Sequence, residues 1–179
     1  HADLDHLAAT LPMESLKPEA VGIFRDRLGV ELARYAAKFP EIVGYRVIDV
    51  AGDVLYASEA NFSPGNAADR RYFTELAKSP ALGLTFSEVI VGRITGRSML
   101  IMAVPIRDAT GVFRGVVMAP LDLGYMQKMF DAVNLGANGV ITFRRSDNGQ
   151  LAVRRPTRPE AVNQTLTNNP MHMRVEAGE

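Results

Sequence analysis

The chain has no cysteine among its 179 residues. Disulfides, thiolate nucleophiles and cysteine-ligated zinc or iron–sulfur centres are therefore excluded. It has no excess of charge, because 20 Lys and Arg balance 20 Asp and Glu. No global field favours nucleic acid or an acidic membrane, and nucleic acid is not an expected partner. No apolar run approaches the roughly 20 residues of a membrane-spanning helix. Any link to a membrane is expected to run through flanking helices outside this sequence. Histidine is scarce: His1, His6 and His172 lie far apart, so no metal site is expected. There is no Gly-x-Ser-x-Gly elbow, no Gly-rich phosphate loop and no His-Glu-x-x-His. No pair of acids stands at a spacing that argues for general acid–base work. Catalysis and cofactors are not expected. The opening His1-Ala2-Asp3 has neither an initiator Met nor a signal-peptide pattern, as expected of a piece excised from a longer protein.

What is present is enough apolar material for a core, 47% of residues. Residues 3–10 predict a helix, interrupted at Pro12. Lys17-Pro18-Glu19 starts a second, with proline at an early helical position. Apolar residues then recur at Val21, Phe24, Leu28, Leu32, Tyr35, Ala36 and Phe39. These intervals of three and four define one helical face, ended by Pro40. Val43, Tyr45 and Val47 alternate with Gly44, Arg46 and Ile48, which predicts a strand with one strongly apolar face. Asp49 to Gly52 is a turn and 53–57 the returning strand. Residues 58–68 form a loop, and 70–78 a short helix with Asp69 as its N-cap.

The stretch from Asp69 to Asp122 is the most informative. Residues 84–91 predict a third strand. Two apolar runs, 98–106 and 112–121, meet at Asp108-Ala109-Thr110-Gly111 and predict a hairpin. A helix over 122–134 follows, N-capped by Asp122, then a hairpin over 140–145 and 150–154. The methionines between 99 and 129 are expected to fill core gaps rather than bind a metal. The order predicts an α+β fold: a long N-terminal helix packed on five antiparallel strands. The terminal hairpin cannot close a core by itself, so 139–179 is expected to open a second, truncated module.

The order of these landmarks resembles the extracytoplasmic double Cache (PAS-like, PDC) sensor domain of bacterial transmembrane receptors. The matching pieces are the long helix, Val47-Ile48-Asp49…Gly52-Asp53-Val54-Leu55, and Asp69-Arg70-Arg71-Tyr72-Phe73. Gly92-Arg93…Thr95-Gly96, Pro105-Ile106…Gly111-Val112-Phe113-Arg114-Gly115-Val116 and Leu121-Asp122 continue the match. It covers about residues 18–155 and is nearest in flavour to sensors fused to histidine kinases or diguanylate cyclases. It implies a helical segment over 1–40, a membrane-distal PAS-like ligand-binding module over 41–135, and the start of a membrane-proximal module over 136–179. It also implies a periplasmic location, in an inner-membrane two-component or related receptor.

The resemblance places a ligand pocket between the sheet and its covering loop and helix. Arg70 matches an arginine that grips a ligand carboxylate, and a guanidinium offers a planar fork for that purpose. Tyr72 and Phe73 match the aromatic walls, although both are equally expected as core aromatics. Tyr56, Ser87, Arg93 and Met102 complete the candidate set, each with a bland alternative. Tyr56 would serve as well in the core, Arg93 as an exposed turn charge, and strand alternation does not choose a face for Ser87 or Met102. In amino-acid-binding relatives, a Tyr and an Asp shortly before the Thr-Gly turn hold the ligand's ammonium. Counting back from Thr95-Gly96, Ile90 and Gly92 stand there. The expected ligand is therefore a small carboxylate or other anion. The alternative is a dimerisation module, built on the long helix, with no small ligand.

Overall fold

In the computed structural model, residues 1–92 and 96–165 are described. Arg93 lies outside the described residues. The N-terminal segment forms α1 (Ala2–Thr10), two short 3-10 turns, Met13–Leu16 and Pro18–Ala20, and α2 (Val21–Ala36). The expected stripe on α2 holds: Leu28, Leu32 and Tyr35 are buried, with Val21, Phe24 and Ala36 packed beside them. Phe39 is the exception. The amides of Lys38 and Phe39 bond back three residues, to Tyr35 and Ala36, so the α-helix tightens and ends before Pro40, leaving Phe39 exposed.

Strands β1 (Arg46–Asp49), β2 (Val54–Ala57), β3 (Thr85–Val91), β4 (Ser98–Arg107) and β5 (Phe113–Asp122) form one antiparallel sheet in the order β2-β1-β5-β4-β3. The short helix α3 (Arg71–Lys78) lies between β2 and β3 in the chain. The expected α+β architecture is therefore the one observed. β1 starts later than the alternation from Val43 suggests. Val43 N–H bonds the Pro120 carbonyl, but the Tyr45 N–H donates to the Ser58 hydroxyl instead of to a neighbouring strand, at 3.1 Å. Helix α3 also starts one residue late. Its N-cap is Arg70 rather than Asp69, because the Arg70 N–H closes a turn onto the Ala67 carbonyl at 2.9 Å. Gly115 is required where β5 meets β1, since a Cβ there would lie 2.1 Å from the Ile48 carbonyl oxygen.

The chain divides into two compact units, one of residues 1–87 and 101–121, the other of residues 88–100 and those from 122 onward. In the first, one face of the sheet presents Tyr45, Val47, Val104, Ile106, Val117 and Ala119 to the buried side chains of α1 and α2. Even the Tyr56 hydroxyl on this side is satisfied internally, donating to the Ser15 carbonyl at 2.8 Å.

In the second unit, α4 (Leu123–Asp131) packs on β7 (Leu151–Arg155), which pairs with β6 (Ile141–Arg144). Asp122 caps α4 as expected, its carboxylate accepting from the amides of Gly124 and Tyr125. Asn163 adopts a positive φ of 65°. From that conformation its side-chain amide pairs with both backbone groups of Val89 on β3, at 2.7 and 3.0 Å, while its own N–H bonds the Leu151 carbonyl.

Candidate functional site

Alternation along β1 decides where polar chemistry can sit in the first unit. Tyr45 and Val47 face the N-terminal helices, so Arg46 and Ile48 point to the opposite face. β1 is flanked by β2 and β5, so Arg46 is a cation in a central strand. Its register partner on β2 is Ala57, and Glu59 follows two residues later, on the same face. The Arg46 Nη2 donates to Glu59 Oε1 at 2.9 Å, and the Ser58 hydroxyl donates to Glu59 Oε2 at 3.1 Å. The chain of bonds thus runs from the Tyr45 amide through Ser58 and Glu59 to Arg46. It requires a bare backbone opposite: a Cβ on Gly44 would lie 2.5 Å from the Ser58 Oγ and 2.8 Å from Glu59 Oε2.

Helix α3 belongs to the same face. Arg107, on the side of β4 opposite to Val104 and Ile106, donates to the carbonyls of Leu76 and Ser79 at the C-terminal end of α3. Tyr72, Phe73 and Leu76 are buried beneath the helix, and the Phe73 ring meets Phe113 edge-on at 5.6 Å. The Tyr72 phenol reports the local electrostatics. Burial pushes its pKa up to about 12, against the pull of the nearby Arg70 and Arg46 guanidinium groups, with Asp69 adding to the rise. Arg70 contacts Asp69 at 3.8 Å, longer than a hydrogen bond.

Arg46 also carries an unmet demand. Its Nε is buried and has no hydrogen-bond partner. An unsatisfied buried donor of a charged group costs about 1–3 kcal/mol or more, and such a group calls for a partner to explain it.

The structure thus brings Arg70 and Tyr72 together with Arg46 and Glu59, which the sequence reading did not select. It places Phe73 against Phe113. Tyr56 and Met102 instead belong to the core facing α1 and α2, and the Ser87 hydroxyl is occupied as acceptor for the Ile101 amide at 2.9 Å. A groove of about 380 Å³ lies between α2 and the end of β2, bordered by Ser58 and Glu59 together with Asp26, Val30, Ala33 and Phe62. Among the described residues, no group of three or more acidic or histidine side chains could hold a metal, and no helix is long and apolar enough to cross a membrane.

No protein family and no curated protein matches the sequence. Solved structures do match. One is the extracellular domain of a protein described as a histidine kinase, rpHK1S-Z16, with TM-score 0.67 and 20% identity over 96% of this chain and 76% of that one. The sensor domain of the V. cholerae histidine kinase DctB matches with TM-score 0.61 and 16% identity, over 94% of this chain. The chain has the fold of Cache/PDC-type sensor domains. The ligand-binding domain of the Pseudomonas aeruginosa amino-acid chemoreceptor PctB, in complex with L-Arg, matches with TM-score 0.63 and 19% identity over 92% of this chain. The chain spans 63% of the DctB domain and 64% of the PctB domain.

Proposed function

We propose that this chain is the extracytoplasmic, non-catalytic sensor region of a transmembrane receptor, and that it binds a small carboxylate on the α3 face of its sheet. The observation that carries this reading is the buried, unpartnered Nε of Arg46, beside Tyr72 and in the electrostatic company of Arg70. A ligand carboxylate on that edge of the guanidinium would supply the missing acceptor. Arg70 would add a second charge-assisted donor. Binding that reorders the Arg46–Glu59 pair would favour one of two conformations, and the receptor's flanking segments would carry the difference to an output domain. Of the Cache-fold proteins above, two are described as histidine kinases and one as a chemoreceptor, which supports the sensory role and the periplasmic setting.

A second reading of the ligand, an α-amino acid, is favoured by Glu59. Its carboxylate stands beside Arg46, where an ammonium group could be met. A thermal-shift screen against small carboxylates, amino acids, amines and sugars separates the readings, because a ligand that binds only the native state raises the melting temperature. A saturable rise with simple carboxylates, diminished in Arg70→Ala, supports the first reading. A rise confined to amino acids supports the second, and no rise with either class refutes both.

The outer face of α2 supports a homodimer as an accompanying role. Ile23 and Val30, seven residues apart and thus on one line of the helix, are 80% and 72% exposed. Light scattering should show a dimer that the Ile23→Ser/Val30→Ser pair dissociates; a wild-type chain monomeric at high concentration would refute it.

A further inference from the structure

The second unit holds a cavity of about 230 Å³ beside α4 and β7. Its lining is divided. Leu123, Val153 and Val162 give it apolar residues, and Arg154, Thr157 and Arg158 give it basic and hydroxyl-bearing ones. We propose that this cavity is a second anion site, built for a small aliphatic carboxylate. The proposal does not depend on the reading of the α3 face.

Charge is the first argument. Other arginines of this unit have acidic partners: Arg145 is bound by Asp147, Arg155 lies 3.7 Å from Asp131, and Arg97 holds Asp122. Arg154 and Arg158 have no carboxylate partner among the described residues, and the Arg154 side chain donates to a neutral acceptor, the Pro156 carbonyl. The pairing of Thr142 with Arg154 places Arg144 on the same side of the hairpin. Burial, and then the Arg154 charge, lower the Arg144 pKa. Positive charge on this hairpin is thus locally in excess. The nearby helix terminus does not supply the site, because Asp122 already occupies the amides of Gly124 and Tyr125.

Size and polarity give the ligand class. A volume of 230 Å³ is below the roughly 300–1,000 Å³ of pockets for drug-sized molecules. A guanidinium fork matches a carboxylate, and the aliphatic residues reward a short alkyl tail. Phosphate would leave them uncovered.

Butyrate is the probe, titrated into the methyl-labelled full chain and followed by NMR. The expected result is saturable shifts at the Leu123, Val153 and Val162 methyls, with the affinity about tenfold or more weaker in Arg154→Gln/Arg158→Gln and unchanged in Arg70→Ala. The neutral isostere butyramide should leave these methyls unmoved. If the glutamine pair does not fold, Arg154→Lys/Arg158→Lys keeps the charge and removes the fork, and weaker binding is expected there too. Three results each overturn the proposal: no saturable shift at these methyls, undiminished affinity in the folded double variant, or equal binding of butyramide.

Discussion

The two faces of the five-stranded sheet differ in kind. Towards α1 and α2 the sheet is apolar, and the Tyr56 phenol buried there is bonded to a backbone carbonyl. Towards α3 it carries Arg46 and Arg107, with Glu59 just beyond β2 and Tyr72 on the helix, and there the buried Nε donors of both arginines are left without an acceptor. Among the described residues, the first face leaves no buried side-chain donor unpaired, and the second does. Burial of apolar surface therefore stabilises the fold from one side, while the other side holds groups whose electrostatics are met only in part by the protein itself.

This contrast can be broken first on the apolar side. Leu32 is 1% exposed within the helix–sheet core, and Leu32→Ala should cost about 2–5 kcal/mol of unfolding free energy. Chemical denaturation measures that loss, and ligand response at temperatures where the variant is folded should persist. On the polar side the pattern should reverse. Arg46→Lys keeps an ion pair to Glu59 but loses the fork, so carboxylate affinity should fall about tenfold or more with little change in melting temperature; calorimetric titration and a thermal melt test the two halves.

A smaller effect sharpens the apolar side. Tyr56→Phe removes the bond to the Ser15 carbonyl and leaves that acceptor buried, which should cost about 1–3 kcal/mol. Because the hydroxyl faces the helices and not α3, ligand affinity should not move.

The smallest effect lies in the β4–β5 hairpin. Hydrogen bonds from the Thr110 hydroxyl and from Arg114, followed by the amides of Val112 and Thr110, hold Asp108 well below the usual carboxylate range. Its folded pKa is depressed, so its contribution is fully present above the unfolded value of about 3.9 and is lost as pH falls through the folded one. The stability difference between the wild type and Asp108→Asn should be flat above about pH 5 and shrink on acidification; a difference that grows at low pH would contradict the assignment.

The helices and strands were legible because their periods are long and clean. The α2 stripe at Leu28, Leu32 and Tyr35 and the two runs around Asp108 needed only spacing. The site was legible in part. Arg70 and Tyr72 stand out beside each other at a helix start, but alternation does not say which face a strand buries, so Tyr56 and Met102 could not be separated from the candidates. Arg46 did leave a signal, as a charge inside an otherwise apolar alternation. Glu59 left none. It reaches Arg46 only through the β1–β2 register, and that register slips between Val47 and Ile48. The cavity beside α4 depends on packing between segments far apart in the chain, which no local pattern encodes.

The central claim is that the α3 face receives a carboxylate on Arg46. The most direct measurement is the arginine Nε–H NMR signal of Arg46, assigned through Arg46→Lys, during separate titrations with acetate, succinate and glycine. A saturable downfield shift with at least one of them, parallel to the thermal stabilisation by the same compound, is the predicted result. A signal that stays fixed while a carboxylate saturates and stabilises the protein, or that none of the three moves, would contradict the account.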